Sequence, residues 1–331
     1  MGMVGRILVT GGGGFIGSAL VAALVSAGRL VRVLDNWSRS DPRRLHGLAG
    51  AIELITGDVC NPGVVVETAK DVDTIVHLAS VNGTERFYTE PDRVLEVGIR
   101  GMLSVLDACR VHRLDSLFVA SSSEVYHVAP IVPTDEHVPL VIPDVFNPRS
   151  SYAGQKIAAE LLTLYVARPL VKRAVIFRPH NIYGPDMGFD HVIPQLSIRA
   201  ARLARGRGPG ETVDMPIRGS LKATRAFMHI DDFTEALLLL LERADGGVYN
   251  VGNSTEVTID EVARLITERF PCRFRLVPEA GAAGSPHRRC PDIGKLRALG
   301  FTPRISLVAG IGPVVDWYAA TIEEGSGAEQ A

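Results

Sequence analysis

Tyr152 and Lys156 lie four residues apart in Ser150-Ser-Tyr152-Ala-Gly-Gln-Lys156-Ile-Ala-Ala-Glu160, a run with helical patterning, so the two side chains share one face. A free phenol titrates near pH ~10 and is a poor base at neutral pH, but an ammonium group one turn away stabilises the phenolate. Such a pair can take a proton from a hydroxyl. Spacing alone fits an ordinary amphipathic helix equally well, and the rest of the chain has to decide. Upstream, Ser121-Ser122-Ser123-Glu124-Val125-Tyr126 follows the apolar Leu117-Phe-Val-Ala120 and adds hydroxyls and a carboxylate at the end of a strand.

The elements that must position these groups begin at the N-terminus. Ile7-Leu8-Val9 reads as a buried strand, Thr10-Gly11-Gly12-Gly13-Gly14-Phe15-Ile16-Gly17 as a glycine turn, and Ser18 to Ala27 as a helix stopped by Gly28. Glycines at Gly11, Gly14 and Gly17 let the backbone turn tightly, approach a pyrophosphate and pack helix on strand, with the helix start at Phe15 and Ile16 facing the phosphates. The second strand, Leu30 to Leu34, ends in Asp35, where an acid grips an adenine-ribose 2′-hydroxyl, and Asn36 follows it. The charge of Asp35 repels a 2′-phosphate, which favours NAD over NADP, while Arg39 nearby keeps NADP open.

Ile52 to Ile55 is a third strand leading to Asp58-Val59, where Asp58 is either an adenine-binding acid or a turn aspartate. Asp73 to Ser80 is almost continuously apolar, as central parallel strands are, and its end at Leu78-Ala79 should line a cofactor crevice. A loop from Val81 to Glu90, a helix from about Pro91 to Val111, a strand to Ala120, a long Pro-rich loop from Ala129 to Pro148 and a sixth strand, Ala174 to Phe177, complete an alternation that specifies a doubly wound parallel α/β sheet, the Rossmann arrangement. Past His180-Asn181 the alternation lapses and a smaller interwoven domain is expected. Asp231, Thr258 and Ser306 read as helix N-caps, and the small polar tail 323–331 as disordered.

At 331 residues, 46% hydrophobic and 22% charged, the chain has ample core, and its net charge of −2 gives no electrostatic footprint for nucleic acid or an anionic membrane. Arg202, Arg205 and Arg207 form a basic cluster that reads as a solvated loop. Neither a signal peptide nor a membrane-spanning run is evident, so a cytoplasmic location is the expectation. Cys60, Cys109, Cys272 and Cys290 are scattered without metal-ligand spacing, so no metal is expected and the thiols read as buried.

With the glycine turn, Asp35, Ser122 and Tyr152-x-x-x-Lys156 in place, the chain resembles the extended short-chain dehydrogenase/reductases, specifically the NAD-dependent nucleotide-sugar epimerase/dehydratase family. The likeness runs from Ile7 to about Trp317 and also rests on His77-Leu-Ala-Ser80, Asn181-Ile-Tyr-Gly-Pro185, Arg225 to Asp232, and Arg289-Cys-Pro-Asp292. The resemblance implies an NAD-binding domain over 1–180 that also receives parts of 224–252, a nucleotide-sugar-binding domain mainly over 181–331, and a homodimer. It implies that Tyr152 is the base that opens oxidation of a hexose hydroxyl, usually at C4, that Lys156 supports it, that Ser122 holds the reacting oxygen, and that Thr84, Ser123, His180, Asn181, Arg225 and Arg289 surround the substrate. Two departures stand out. Gly98 replaces a family Asn that supports the active site, and His180 replaces a common Phe, reading as a pocket residue with acid/base work as the alternative.

The fate of the 4-keto sugar separates the family's reactions. Dehydratases of this pattern carry Asp where this chain has Ser123, a far weaker acid. Nucleotide-glucuronate decarboxylases carry Ser-Glu and a closing Arg, which Ser123, Glu124 and Arg289 match. A 4-epimerase needs only Ser122, Tyr152, Lys156, NAD and room for the sugar to turn over, with Glu124 structural and Arg289 on the diphosphate. The surroundings of His180-Asn181 favour epimerisation as the expectation. A non-catalytic dinucleotide-binding protein is disfavoured because Tyr152 and Lys156 are both present.

Overall fold

The computed structural model describes residues 5–280 and 287–323. Strands β1 (Arg6–Thr10), β2 (Leu30–Asp35), β3 (Ile52–Thr56), β4 (Thr74–His77), β5 (Ser116–Ala120) and β6 (Arg173–Pro179) come first. The chain then lays down β7 (Ile182–Tyr183), β8 (Thr212–Arg218), β9 (Thr224–Ala226) and β10 (Met228–His229), and returns as β11 (Gly247–Val251). β12 (Glu256–Thr258), β13 (Arg273–Glu279) and β14 (Arg288–Arg289) follow. Seven strands form one parallel sheet in the order β11-β6-β5-β4-β1-β2-β3. Strand order reverses between β1 and β4, and in open α/β sheets the crevice beyond the strand ends at such a reversal is where ligands bind.

The helices are α1 (Phe15–Ser26), α2 (Pro62–Thr68), α3 (Thr84–Thr89), α4 (Pro91–His112), α5 (Ser150–Leu162), α6 (Val192–Ala204), α7 (Ile230–Arg243), α8 (Ile259–Thr267), α9 (Gly294–Ala298) and α10 (Leu307–Glu323). Strands β1, β4 and β5 are apolar on both faces because helices cover both. On one side Leu20, Val21 and Leu24 of α1 bury against Phe233, Ala236 and Leu240 of α7. On the other, Met102, Val105 and Leu106 of α4 pack with Val65 and Ala159 against Leu8, Ile75 and Leu117. Each fully buried side chain of this size contributes about 2 kcal/mol. A separate core of Ile193, Leu196, Met215, Phe227, Ile266, Val314 and Tyr318 joins α6, α8 and α10 to β8.

Local sequence explains most element ends. Thr258 caps α8 in a reciprocal capping box with Glu261, and the Ser306 hydroxyl accepts from Ala309 N at 3.2 Å. At α7 the cap is His229, whose Nδ1 accepts from Asp231 N at 3.3 Å; Asp231 lies instead in the first turn, where its charge favours the helix dipole. The segment expected as loop from Val81 to Glu90 contains α3, and the one after Asp35 ends in a 3₁₀ turn, Pro42–Leu48, whose first turn is capped by Asp41. Cys109, Cys272 and Cys290 are buried as expected, whereas Cys60 is half-buried. The tail beyond residue 323 lies outside the described residues.

Candidate active site

The glycine turn takes its shape from close approaches. Gly11 sits at φ +72°, and a Cβ there would lie 2.8 Å from Ala79 N. A Cβ at Gly17 would lie 2.7 Å from Gly12 Cα, so only glycine lets α1 press on the turn. Gly14, the N-cap of α1, differs: a Cβ there meets only Gly11 O at 3.4 Å, and no side chain caps the helix. Uncapped N–H groups at Phe15 and Ile16 and the open face of Gly14 form a cradle that fits a pyrophosphate.

The acids stand beside it. Buried Asp35 accepts from Gly13 N at 2.9 Å, Trp37 N at 2.9 Å and Ser40 Oγ at 2.6 Å. Asn36 Nδ2 donates to Asp58 at 2.9 Å, and Cys60 N donates to its other oxygen at 2.8 Å. Burial works against ionisation of Asp58, but these donors hold its carboxyl below the usual range. Val59 is buried beneath Gly101, and Leu78 and Ala79 hang from β1 through Thr10, with N···O distances of 3.1 and 3.4 Å. Trp37, not singled out from sequence, is at φ +58° with its indole N–H on Thr56 Oγ1 at 2.9 Å, its ring over Gly13. Arg39 turns away towards Gly83, Arg86 and Asp190. Arg44 crosses the cleft: it pairs with Asp186 at 2.6 Å, donates to Asp186 O at 3.0 Å and reaches Gly13 O at 3.4 Å.

At the other end of the crevice, Tyr152 is buried and its ring stacks on Phe87 at 4.4 Å. Burial pushes its pKa up to about 12, against the lowering pull of the Ser122 hydroxyl. Lys156 Nζ lies 5.8 Å from the Tyr152 ring centre and donates to Ala120 O at 2.8 Å; burial lowers its pKa to about 8. Ser122 caps the 3₁₀ turn Ser123–Tyr126, its Oγ accepting from Glu124 N at 3.1 Å, which leaves the hydroxyl proton available for donation.

Glu124 is bridged from both sides, by Arg289 at 2.5 Å and Arg149 at 3.1 Å. Burial would raise its pKa, but the two guanidiniums override that and hold it at about 2. Arg149, directly before α5 and one turn from Tyr152, was not singled out from sequence. Arg225 and Arg289 are register partners on β9 and β14, and Arg225 is lowered to about 10 by burial and by its neighbour's charge. Side-by-side guanidiniums of this kind suit an anion. Ser123 is buried at the same turn, and Thr84 opens α3 after Gly83 at φ +122°. Asn181, at φ +45°, donates to Ala226 O at 3.0 Å and so ties β9 to the end of β6.

His180, expected as a pocket residue, is buried. It is 1% exposed and closes a buried chain of hydrogen bonds. Ser121 donates to Glu160 at 2.5 Å, Glu160 grips Arg178 at 2.8 and 2.6 Å, Arg178 donates to Tyr126 at 2.5 Å, and Tyr126 donates to Asn250 Oδ1 at 2.8 Å. The Asn250 amide nitrogen donates to Thr134 O and Asp292 O, so its Oδ1 accepts, and His180 Nε2 at 3.0 Å carries a proton. Burial lowers the His180 pKa to about 3, and its Nδ1 has no partner among the described residues. Burial disfavours the imidazolium form of His180, which weighs against an acid/base role there.

A parallel sheet with a glycine cradle at its reversal is the fold of a dinucleotide-binding enzyme, and Ser122, Tyr152 and Lys156 stand at the neighbouring strand end. The chain belongs to the NAD dependent epimerase/dehydratase family, whose model matches residues 7–252. It is 31% identical over 327 residues to a dTDP-glucose 4,6-dehydratase of Streptomyces niveus, covering 95% of this chain and 92% of that one. It is 30% identical to UDP-glucuronic acid decarboxylase 1 of Arabidopsis thaliana, covering 97% of this chain and 72% of that one. Among solved structures, MoeE5 in complex with UDP-glucuronic acid and NAD is similar at a TM-score of 0.78 and 29% identity, covering 96% of this chain and 100% of that one. Among the described residues no helix is long and apolar enough to cross a membrane, and no group of side chains could hold a metal ion.

Proposed function

We propose that this protein oxidises a nucleotide-linked hexuronic acid at C4 and releases carbon dioxide from the resulting keto acid. The observation that carries the reading is Glu124 held between Arg149 and Arg289 beside Ser122. Two guanidiniums against one carboxylate leave an excess of positive charge and spare N–H donors at the reacting end, which a sugar carboxylate can use and a neutral hexose cannot. Relatives and a fold neighbour that act on or bind glucuronates support it.

NAD⁺, which the Gly11–Gly17 turn and Asp35 would hold, would supply the hydride acceptor for C4 and, once reduced, the hydride that restores it. Tyr152 accepts the C4 hydroxyl proton, Lys156 stabilises the phenolate, and Ser122 donates to the oxygen as it becomes a ketone. A 4-keto hexuronate is a β-keto acid: the electron pair of the C5–C6 bond moves into a C4–C5 enolate as carbon dioxide leaves. Ser122 and protonated Tyr152 hold the enolate oxygen, C5 takes a proton from solvent water, and Tyr152 gives its proton back when C4 is reduced. Arg225 carries the nucleotide diphosphate, Arg289 holds Glu124 at the reacting end, and Arg149 turns the sugar carboxylate out of the carbonyl plane so that it can leave. Ser123, a far weaker acid than the Asp that dehydratases carry at its position, argues against protonation of a leaving hydroxyl and so against dehydration.

The second reading is 4-epimerisation through the same ketone. It needs only the Ser122, Tyr152 and Lys156 that the ends of β5 and α5 bring together, with no chemical role for Glu124. Incubation with NAD and UDP-, dTDP-, GDP- and CDP-linked hexoses and hexuronates, followed by NMR and mass spectrometry, separates the two. Carbon dioxide and a nucleotide pentose are expected; C4 epimers of unchanged mass would move the assignment to epimerase. We also propose a homodimer through α4 and α5, supported by exposed Leu103, Leu161 and Tyr165. A monomeric mass by light scattering at micromolar concentration would exclude it.

A further inference from the structure

We propose that Gln155 is a positioning residue for Tyr152, acting as a strut that ties the reactive turn of α5 to the end of β4 through a notch made by Gly98. The inference concerns how the base is held and rests on the Tyr152 role proposed above, but not on which product is formed.

Gln155 lies between Tyr152 and Lys156 on α5 and is 1% exposed, an unusual place for a carboxamide. Its Nε2 donates to Ser80 Oγ at 3.2 Å, just beyond β4. The room for it comes from α4: a Cβ at Gly98 would lie 2.6 Å from Gln155 Cδ and 2.9 Å from Gln155 Cβ. Gly98 sits well inside the longest helix among the described residues, where glycine costs about 1 kcal/mol against alanine and no positive φ requires it. Space for Gln155 is the reason for it.

The strut has a counterpart. Lys156, the next residue, donates to Ala120 O at the end of β5. Adjacent residues of one helical turn are thus pinned to adjacent strands, which fixes both the height of α5 above the sheet and its rotation. Ser122 follows β5 and Tyr152 precedes Gln155 by three residues, so these pins set the approach of the phenol to the serine hydroxyl. A group that must meet a reacting oxygen within a fraction of an ångström loses rate when its support is loosened. Gln155 touches neither substrate nor cofactor in this account.

The test is a mutant cycle on the full-length protein with bound NAD, followed by stopped-flow single turnover. Ser80→Ala and Gln155→Met each remove the hydrogen bond while largely keeping the volume. Each is expected to slow the oxidation step about tenfold, to leave KM within about twofold, and to shift the alkaline limb of the kcat profile, with the double variant no worse than Gln155→Met. Gln155→Gly with Gly98→Asn removes the Cβ that a side chain at 98 would meet, places an amide in the same space from the opposite helix and should recover most of the rate lost by Gln155→Gly alone. Additive losses, or equal falls in kcat and thermal stability with an unmoved pH profile, would show that Gln155 only packs. If Tyr152→Phe kept its rate, the Tyr152 assignment would fail instead, which the cycle does not confuse with failure of the strut.

Discussion

Glu124 and Arg289 lie 165 positions apart in the chain and meet at 2.5 Å, joining the strand end that carries Ser122 to a two-residue strand of the smaller lobe. The contact places a largely buried ion pair next to Ser122. It is also where the competing readings of this protein diverge.

Glu124→Gln tests that divergence. If the charge of Glu124 holds Arg149 in place for the loss of carbon dioxide, kcat should fall about 100-fold or more with a modest change in KM. If it only ties the lobes, the amide keeps hydrogen bonds to Arg149 and Arg289 and the loss should stay under tenfold. Steady-state kinetics on a nucleotide hexuronate decides.

Tyr152→Phe should lower turnover by about two to four orders of magnitude with substrate affinity retained, because the phenyl ring keeps the Phe87 stack and loses only the proton acceptor. Lys156→Met should move the pH optimum upward. Isothermal titration alongside kinetics checks both, and near-normal turnover of Tyr152→Phe would remove it from the mechanism.

Asp35→Ala should lose most of the preference for NAD over NADP. It removes the charge facing a 2′-phosphate and also frees Gly13 N, Trp37 N and Ser40 Oγ. Calorimetric titration of both dinucleotides measures it, and tighter NADP binding by the unmodified protein would overturn the NAD assignment at that corner. Trp37, stacked over Gly13, supplies an intrinsic fluorescence signal for the same titration.

Stability should fall on acidification in two stages. His77 and His180 are lowered by burial from 6.5 to about 3, so below pH 6.5 the unfolded chain binds protons that the folded chain does not. Their contribution is present at neutral pH and is lost as pH falls through that window, with a slope approaching ~3 kcal/mol per pH unit for two groups. Glu124, depressed from 4.5 to about 2, adds a second loss below 4.5. Urea melts across the range should show His180→Phe reducing the first slope by about half; an unchanged slope would mean that His180 is charged in the folded state.

Much of the fold is legible in the sequence because its signals are local: a strand, a glycine turn and a helix within one short stretch, then apolar strands alternating with helices. The Tyr152-Lys156 pair is legible for the same reason. What escapes is the meeting of distant residues. Nothing near Glu124 announces that Arg149 and Arg289 will close on its two oxygens, and our proposal of decarboxylation, in place of the epimerisation expected from sequence, rests on that contact. His180 reads as a pocket residue by its neighbours in sequence, but Asn250 and Tyr126, from β11 and a 3₁₀ turn, seal it. Gly98 reads as a loss until Gln155 is seen filling its place. The His229 cap is missed because an aspartate two residues on looks better by type, while the backbone there is already helical.

Arg44 gives the crevice a mechanical property. It holds Asp186 through side chain and backbone while leaning on the carbonyl of Gly13, so the two walls cannot swing apart as a free hinge. Opening must first break a partly exposed pair worth about 1 kcal/mol and strip a backbone acceptor. Salt weakens that latch and dilution does not, so the residence time of a dinucleotide beneath it should shorten with ionic strength even where the equilibrium contacts to Asp35 and the glycine turn are unaltered.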